Sequence, residues 1–481
     1  MNRLSNDYQE NVAFFDRLFR VEENFDIIKK PLMMGKDQLT FYYIDGFVKD
    51  GVMQKMMIYF LSVGGLGDKN ADAAQAFLDA HVPYVETGIC ESVDVLTQMM
   101  LSGAVVMLGS NFGAKAILID ARTYPARETS EPQNDRVMLG ARDGFVETLI
   151  FNTTLIRRRI RDTSLTMRYL TVGEKSRTDV VLCYMNDRAD MKFVESIYQK
   201  LCGIKTEALT MGHQSLSECL IRSRWYNPFP KIRTTERPDA AAAQILEGSV
   251  MILVDNSPEV MILPTSIFDF MQETNDYYFP PLTGSFLRLV RQAIMWLTLF
   301  MTPVWFLLVK NPQIVPDFLT FTIPESTGKI PILAQLLLTE FVIDGLRMAS
   351  MNTPDMLSNS LSVVGGLILG DFAIDIGWLI PEVILYMAFV SIANFSQRNY
   401  ELGYAFKFLR ILLLILTALF NIWGFVAGVL AVILLIASNK TVNGKRSYLY
   451  PIIPFSWQAF KALFFRVKKR DVSVSVRSDE K

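Results

Sequence analysis

The sequence predicts a two-part chain: an α/β soluble front made of two similar α/β subdomains, then an α-helical transmembrane domain of about four spans plus a re-entrant or interfacial helix. Three observations predict it. The 481 residues are 51% hydrophobic and 20% charged with a net charge of −1, too apolar on average for an ordinary soluble protein. The apolar excess is uneven: residues 1 to about 275 are mixed in charge, whereas long uncharged runs dominate from about 285 to 437. Finally, two windows of the front resemble each other.

Residues 101–108, LSGAVVML, lead through SNFGAKAILID, and residues 246–253, LEGSVMIL, lead through DNSPEVMILP. Each reads as a helix end, a glycine, a buried strand, a tight polar turn and a second strand. Upstream, TFYYIDG at 40–46 and VVLCYMND at 180–187 are apolar strands followed by helical patterns. The front therefore divides into a helical lead (1–34), subdomain 1 (35–135), a basic connector (136–164) and subdomain 2 (165–284). Such apolar patterns also recur by chance, so the duplication is an expectation for the structure to decide.

The connector carries Arg157, Arg158, Arg159 and Arg161. A charge run is usually a solvated helix face; the sharper alternative is a contact with lipid headgroups or an acidic neighbouring subunit. Near-zero net charge without interleaved aromatics argues against nucleic acid. Cys90, Cys183, Cys202 and Cys219 form no CxxC pair and His81 and His213 stand alone, so neither a disulfide framework nor a zinc site is expected. Free thiols and the lack of a leader pattern at the N-terminus fit a front that faces the cytoplasm. Phosphate-loop, dinucleotide, zincin and nucleophile-elbow patterns are absent, so neither catalysis nor a cofactor is expected.

Within the membrane domain (285–440), residues 289–309 and 411–437 are long apolar runs, the second flanked by Lys407 and Arg410 and carrying a Gly424/Gly428 pair suited to close helix packing. Residues 378–395 make a third span. Residues 357–374, softened by Gly365, Gly366 and Gly370, and 330–350 are weaker. The tail (441–481) holds KALFFRVKKR, a basic amphipathic stretch expected at an anionic cytoplasmic surface. With both ends cytoplasmic the crossings must be even, so one weak segment re-enters or lies flat.

From Ile330 to Gln397 the charges are Glu340, Asp344, Asp355, Asp371, Asp375 and Glu382 against Arg347. A carboxylate in lipid costs about 2.5–3.5 kcal/mol, so these groups should face protein or water. Glu340, Asp344 and Arg347 share one helical stripe, as do Asp371 and Asp375. Beside the glycine-rich VVGGLILG segment, that acidic stripe points to a cation path. The alternative is a structural ion-pair network, in which Arg347 holds the two acids.

Residues 228–278, PFPKIRTTERPDAAAAQILEGSVMILVDNSPEVMILPTSIFDFMQETNDYY, resemble the hallmark block of the A subunits of bacterial spore germinant receptors, the GerA family. DGFVETLIFNTTLIRRRIR at 143–161 and SVVGG at 362–366 match the same pattern. The resemblance implies an integral protein of the inner spore membrane, with its front facing the spore core. It implies assembly as a homo-oligomer, with other membrane subunits of a germination complex and the lipid bilayer as partners. It also implies ion release during germination, with a non-conducting scaffold or, less favoured, a secondary transporter as alternatives. Glu236, Arg237 and Asp239 in the block, with Arg157, Arg158 and Arg159, are the expected assembly contacts; Glu340, Asp344, Arg347, Gly365, Gly366, Asp371 and Asp375 are the expected ion-path or gating residues.

Overall fold

The computed structural model describes residues 3–122, 140–221, 225–352, 373–439, 448–465 and Val442, apart from 68, 70, 71, 274, 396 and 398. It forms two compact units, one built on residues 1–222 with 232–264 and the other on 223–231 with 265–468.

The first unit contains the same element order twice. The first copy runs α1 (Tyr8–Phe19), β1 (Ile27–Met34), β2 (Asp37–Ile44), α2 (Asp50–Ser62), α3 (Ala73–His81), β3 (Thr87–Cys90), α4 (Val93–Leu101), β4 (Val105–Gly109) and β5 (Ala116–Ile119). The second runs α5 (Leu149–Arg159), β6 (Leu165–Val172), β7 (Thr178–Met185), α6 (Met191–Cys202), α7 (His213–Leu220), β8 (Arg233–Thr235), α8 (Pro238–Leu246), β9 (Val250–Val254) and β10 (Val260–Leu263). The sheet orders are β1-β2-β4-β5-β3 and β6-β7-β9-β10-β8, every pairing antiparallel. The two similar α/β subdomains are thus a true structural duplication.

Its boundaries differ from the expectation. The lead expected over 1–34 contains β1, and the connector expected over 136–164 contains α5, the counterpart of α1. Lys29-Lys30-Pro31 interrupts the apolar alternation of β1, and arginines hide the buried face of α5. Each copy is a three-layer sandwich: α1 and α4 cover one face of the first sheet, α2 and α3 the other. Central strands β4 and β9 are buried throughout, hence their unbroken apolar sequences. Gly103 (φ +103°) and Gly248 (φ +93°) take the left-handed turns out of α4 and α8 that a side chain would resist. Within β7, burial pushes the Cys183 thiol up to about 12.

A buried asparagine closes the entry to each copy. Asn11 accepts from the Ser5 amide (2.8 Å) and donates to the Ser5 carbonyl (2.7 Å); Asn152 does the same with Val146 (2.8 and 2.6 Å). The copies are tied together by polar bonds. Arg157, fully buried, donates to both Asp26 oxygens (3.0 and 3.2 Å) and to the Leu165 carbonyl (3.2 Å). Arg20 donates to Thr166 Oγ1 and the Thr163 carbonyl, and Arg161 to Ser102 Oγ.

These bonds show where the expected assembly residues lie. Arg157 is spent inside the chain because a buried guanidinium needs a carboxylate beside it. Arg159 is half-buried against Asp143, while Arg158 is exposed. Arg237, also fully buried, donates to Asp239 (3.0 and 2.6 Å) and the Ala141 carbonyl (3.0 Å), while the buried Glu236 uses its carbonyl to accept from the Phe145 amide. Pro238 and Asp239 open α8 as a proline at the first helical position and an acid in the first turn should. The hallmark block therefore closes the second copy of the fold rather than presenting Arg237 outward.

Asn11→Ala and Asn152→Ala should each lower stability by about 1–3 kcal/mol, because each strands a backbone donor and acceptor pair. Urea unfolding of the two variants checks this; a neutral result at either site contradicts the paired role.

Candidate functional site: a buried ion quartet among apolar helices

The second unit contains α9 (Asn275–Tyr278), α10 (Pro281–Lys310), α11 (Ile332–Asn352), α12 (Ala373–Asp375), α13 (Pro381–Phe395), α14 (Tyr400–Ala437) and α15 (Trp457–Phe464). By length and composition α10 and α14 are apolar enough to cross a membrane, while α13 is shorter. Among the described residues these two helices meet the length and composition of a span.

The long helix α14 is not straight. Asn421 takes φ +53° and ψ −132°, which no helix accommodates. A Cβ on Gly424 would lie 1.9 Å from the Leu416 carbonyl oxygen, and one on Gly428 would lie 2.6 Å from the Leu413 side chain. Eight residues of straight helix would separate Leu416 and Gly424 by about 12 Å. The chain therefore doubles back at Asn421, and the glycine pair is the notch into which the first arm fits. This corrects the expected span over 411–437: a first arm of about 31 Å meets a returning arm of about 24 Å.

Neighbours stabilise the reversal. Lys310 donates to the carbonyls of Thr417 (3.2 Å) and Ala418 (2.7 Å), the orphan acceptors at the end of the first arm. Asn311 and Asn421 exchange amide hydrogen bonds of 2.6 and 2.8 Å. Asparagine tolerates positive φ better than the apolar residues around it.

The same first arm carries Lys407 and Arg410, one helical face apart by three residues. Arg410 Nε donates to Glu340 Oε1 at 2.7 Å and Nη1 donates to the Thr298 carbonyl of α10 at 2.8 Å. Lys407 Nζ lies 3.2 Å from Glu340 Oε2 and also pairs with Asp344. Arg410, Lys407 and Glu340 are only 2%, 5% and 4% exposed. Two acids and two bases close a neutral quartet that fastens α11 to α14, with Arg410 reaching α10. Counting back from the Lys310 and Asn421 end, Thr298 and Arg410 lie roughly 17 Å along their helices, about half of a 30 Å hydrocarbon core.

Glu340, Asp344 and Arg347 lie on α11 as expected, but the bases that meet the two acids come from α14. The Arg347 guanidinium sits over the rings of Phe395, Tyr400 and Tyr404 at 5.4, 4.7 and 5.1 Å. A cavity of about 20 Å³, room for one water, opens beside Asp344, Arg347, Ser391, Asn394 and Lys407. Asp375 is exposed in α12, while Gly365, Gly366 and Asp371 fall outside the described residues. Lys407 and Arg410 escape sequence reasoning because bases directly before an apolar run read as interfacial flanks. Their spacing toward one face was the available signal. Sequence reasoning also missed the buried Gln335, whose amide donates to the Thr327 and Ile330 carbonyls and accepts from Ile380 N, pinning the loop before α11 to the start of α13.

No group of three or more His, Cys, Asp or Glu side chains among the described residues is placed to hold a metal ion. A duplicated α/β unit joined to long apolar helices with ionised groups buried between them defines a class: a membrane-associated protein with a large α/β domain. Its residues 16–475 match the sequence profile described as Bacillus/Clostridium GerA spore germination protein, and the chain belongs to that family. It is 37% identical to stage V sporulation protein AF of Bacillus subtilis (strain 168) over 472 residues, covering 97% of this chain and 93% of that one. It is 26% identical to spore germination protein KA of the same organism, over 95% of this chain and 85% of that one. The crystal structure of the N-terminal domain of the A subunit of the Bacillus megaterium spore germinant receptor GerK3 aligns with a TM-score of 0.41 at 22% identity, over 54% of this chain and 95% of that one.

Arg410→Met should cost about 3–5 kcal/mol, since it leaves Glu340 buried beside a single lysine. Gly424→Leu should open the hairpin and lower thermal stability further than Val426→Leu at an exposed position of the same arm. Thermal unfolding of the full chain in detergent reads both; a Gly424→Leu protein as stable as wild type contradicts the reversal at Asn421.

Proposed function

We propose that the chain is a membrane subunit of the bacterial spore germination machinery whose copies assemble around a cation-conducting path that releases ions during germination. In this reading it sits in the inner spore membrane, with the α/β front and the C-terminal tail on the core side and other germination-complex membrane subunits beside it. The observation that carries the proposal is the quartet of Glu340, Asp344, Lys407 and Arg410 midway along apolar helices, with Asp344 half-buried and the other three buried. Ionisable groups at that depth are costly and by default functional. Family membership and the names of its relatives support the germination role.

The quartet acts as the closed latch of the path. It is neutral as a whole, so it offers an ion no net attraction while intact, and separating α11 from α14 would free Glu340 and Asp344 to face water. A second reading, a non-conducting scaffold, is favoured by the same closure, because Glu340 and Asp344 are already met by bases of their own protomer.

Conductance of the purified protein in lipid bilayers separates the two. Glu340→Gln and Asp344→Asn should raise open probability and reduce cation selectivity, because each weakens the latch and removes a path carboxylate. Intact oligomers without cation current under any activating condition would overturn conduction and leave the scaffold.

A further inference from the structure

The duplication provides an internal control for what the fold requires of each surface. In α2 the buried stripe Met53, Met56 and Phe60 corresponds to Val194, Ile197 and Leu201 of α6, apolar in both copies. The outward residues diverge. Aligning the first residues of the helices, Asp50 and Met191, puts Ile58, Tyr59 and Leu61 opposite Gln199, Lys200 and Cys202. Ile58 is 60% and Leu61 55% exposed. The same helix in the same fold is stable with a polar outer face, so the apolar face of α2 is not required by its own sheet. The patch borders β1, the outer strand against which α2 packs.

β1 and β3 are the two outer strands of this sheet. Around the β1 and α2 edge, Lys30, Lys36 and Lys55 are exposed and outnumber Asp50. At the β3 edge, Glu86, Glu91 and Asp94 are exposed and outnumber Arg3, beside Val85, which is 96% exposed. One edge is thus apolar and basic, the opposite edge apolar and acidic. Pro31 withholds a donor from the β1 edge, so contact there runs through side chains rather than an added strand.

We infer that the α2 and β1 edge of one copy docks on the β3 edge of the next copy of this chain. Complementary patches on opposite edges make a head-to-tail contact, the kind that repeats around a ring, whereas a self-complementary pair would need both charges on one patch. The proposal rests on the oligomeric state proposed above and supplies it with an interface in the soluble front.

The test uses the full chain in lipid nanodiscs with Cys90→Ser, Cys202→Ser and Cys219→Ser, as two differently tagged copies. One carries Leu61→Cys and the other Val85→Cys, and a short bis-maleimide is added. Both new thiols are on exposed positions, and circular dichroism confirms unchanged folding. The mixed-tag product should exceed that from Leu61→Cys with Leu61→Cys at least tenfold. Lys30→Glu with Lys55→Glu in the first copy should cut it about tenfold, and Glu86→Lys with Glu91→Lys in the second should restore it. An intact oligomer without the mixed product overturns this interface alone and assigns the α2 face to another partner, such as lipid. A monomeric chain overturns the oligomeric state together with the interface.

Discussion

A guanidinium withdrawn from water must bring a carboxylate with it, and both units are organised around that constraint. In the membrane-type unit Arg410 meets Glu340 and the Thr298 carbonyl, so one side chain ties together α10, α11 and α14. In the α/β unit Arg157 meets Asp26 and holds the two copies of the fold together. Breaking such a pair from one side leaves a bare charge, at about 3–5 kcal/mol, far more than an exposed pair contributes. Each pair therefore fixes where its helices sit, whatever its net contribution to stability.

Much of the front was legible. The Gly103 and Gly248 windows marked matching helix-to-strand turns, and the apolar runs of β4 and β9 marked central strands. The boundaries were less so. β1 alternates poorly because Lys29 and Lys30 are tolerated at an outer strand, and α5 was masked by arginines whose partners, Asp26 and Asp143, lie far away in sequence or outside the helix. A charge run reveals its composition, not whether its counter-ions are folded against it.

In the apolar part the acids that the sequence singled out, Glu340 and Asp344, lie on α11 and enter the ion quartet. Their partners were missed. Lys407 and Arg410 precede an apolar run, where bases usually mark the lipid headgroups, and only the fold brings them to α11. The reversal at Asn421 was hidden for a related reason: hydropathy sums over a window, and one asparagine hardly alters it. The lone Asn between Phe420 and Ile422, three residues before Gly424, is the local signal that a straight helix would not need. Arg347, which the ion-pair alternative had holding the acids, sits over three aromatic rings.

Glu340 and Arg410 act as one unit. A double-mutant cycle of Glu340→Gln, Arg410→Gln and the combined variant, followed by unfolding of the full chain in detergent, measures that coupling directly. Non-additivity of about 2–3 kcal/mol is expected, with the combined variant more stable than the two single losses would sum to. Additivity within about 0.5 kcal/mol would contradict it.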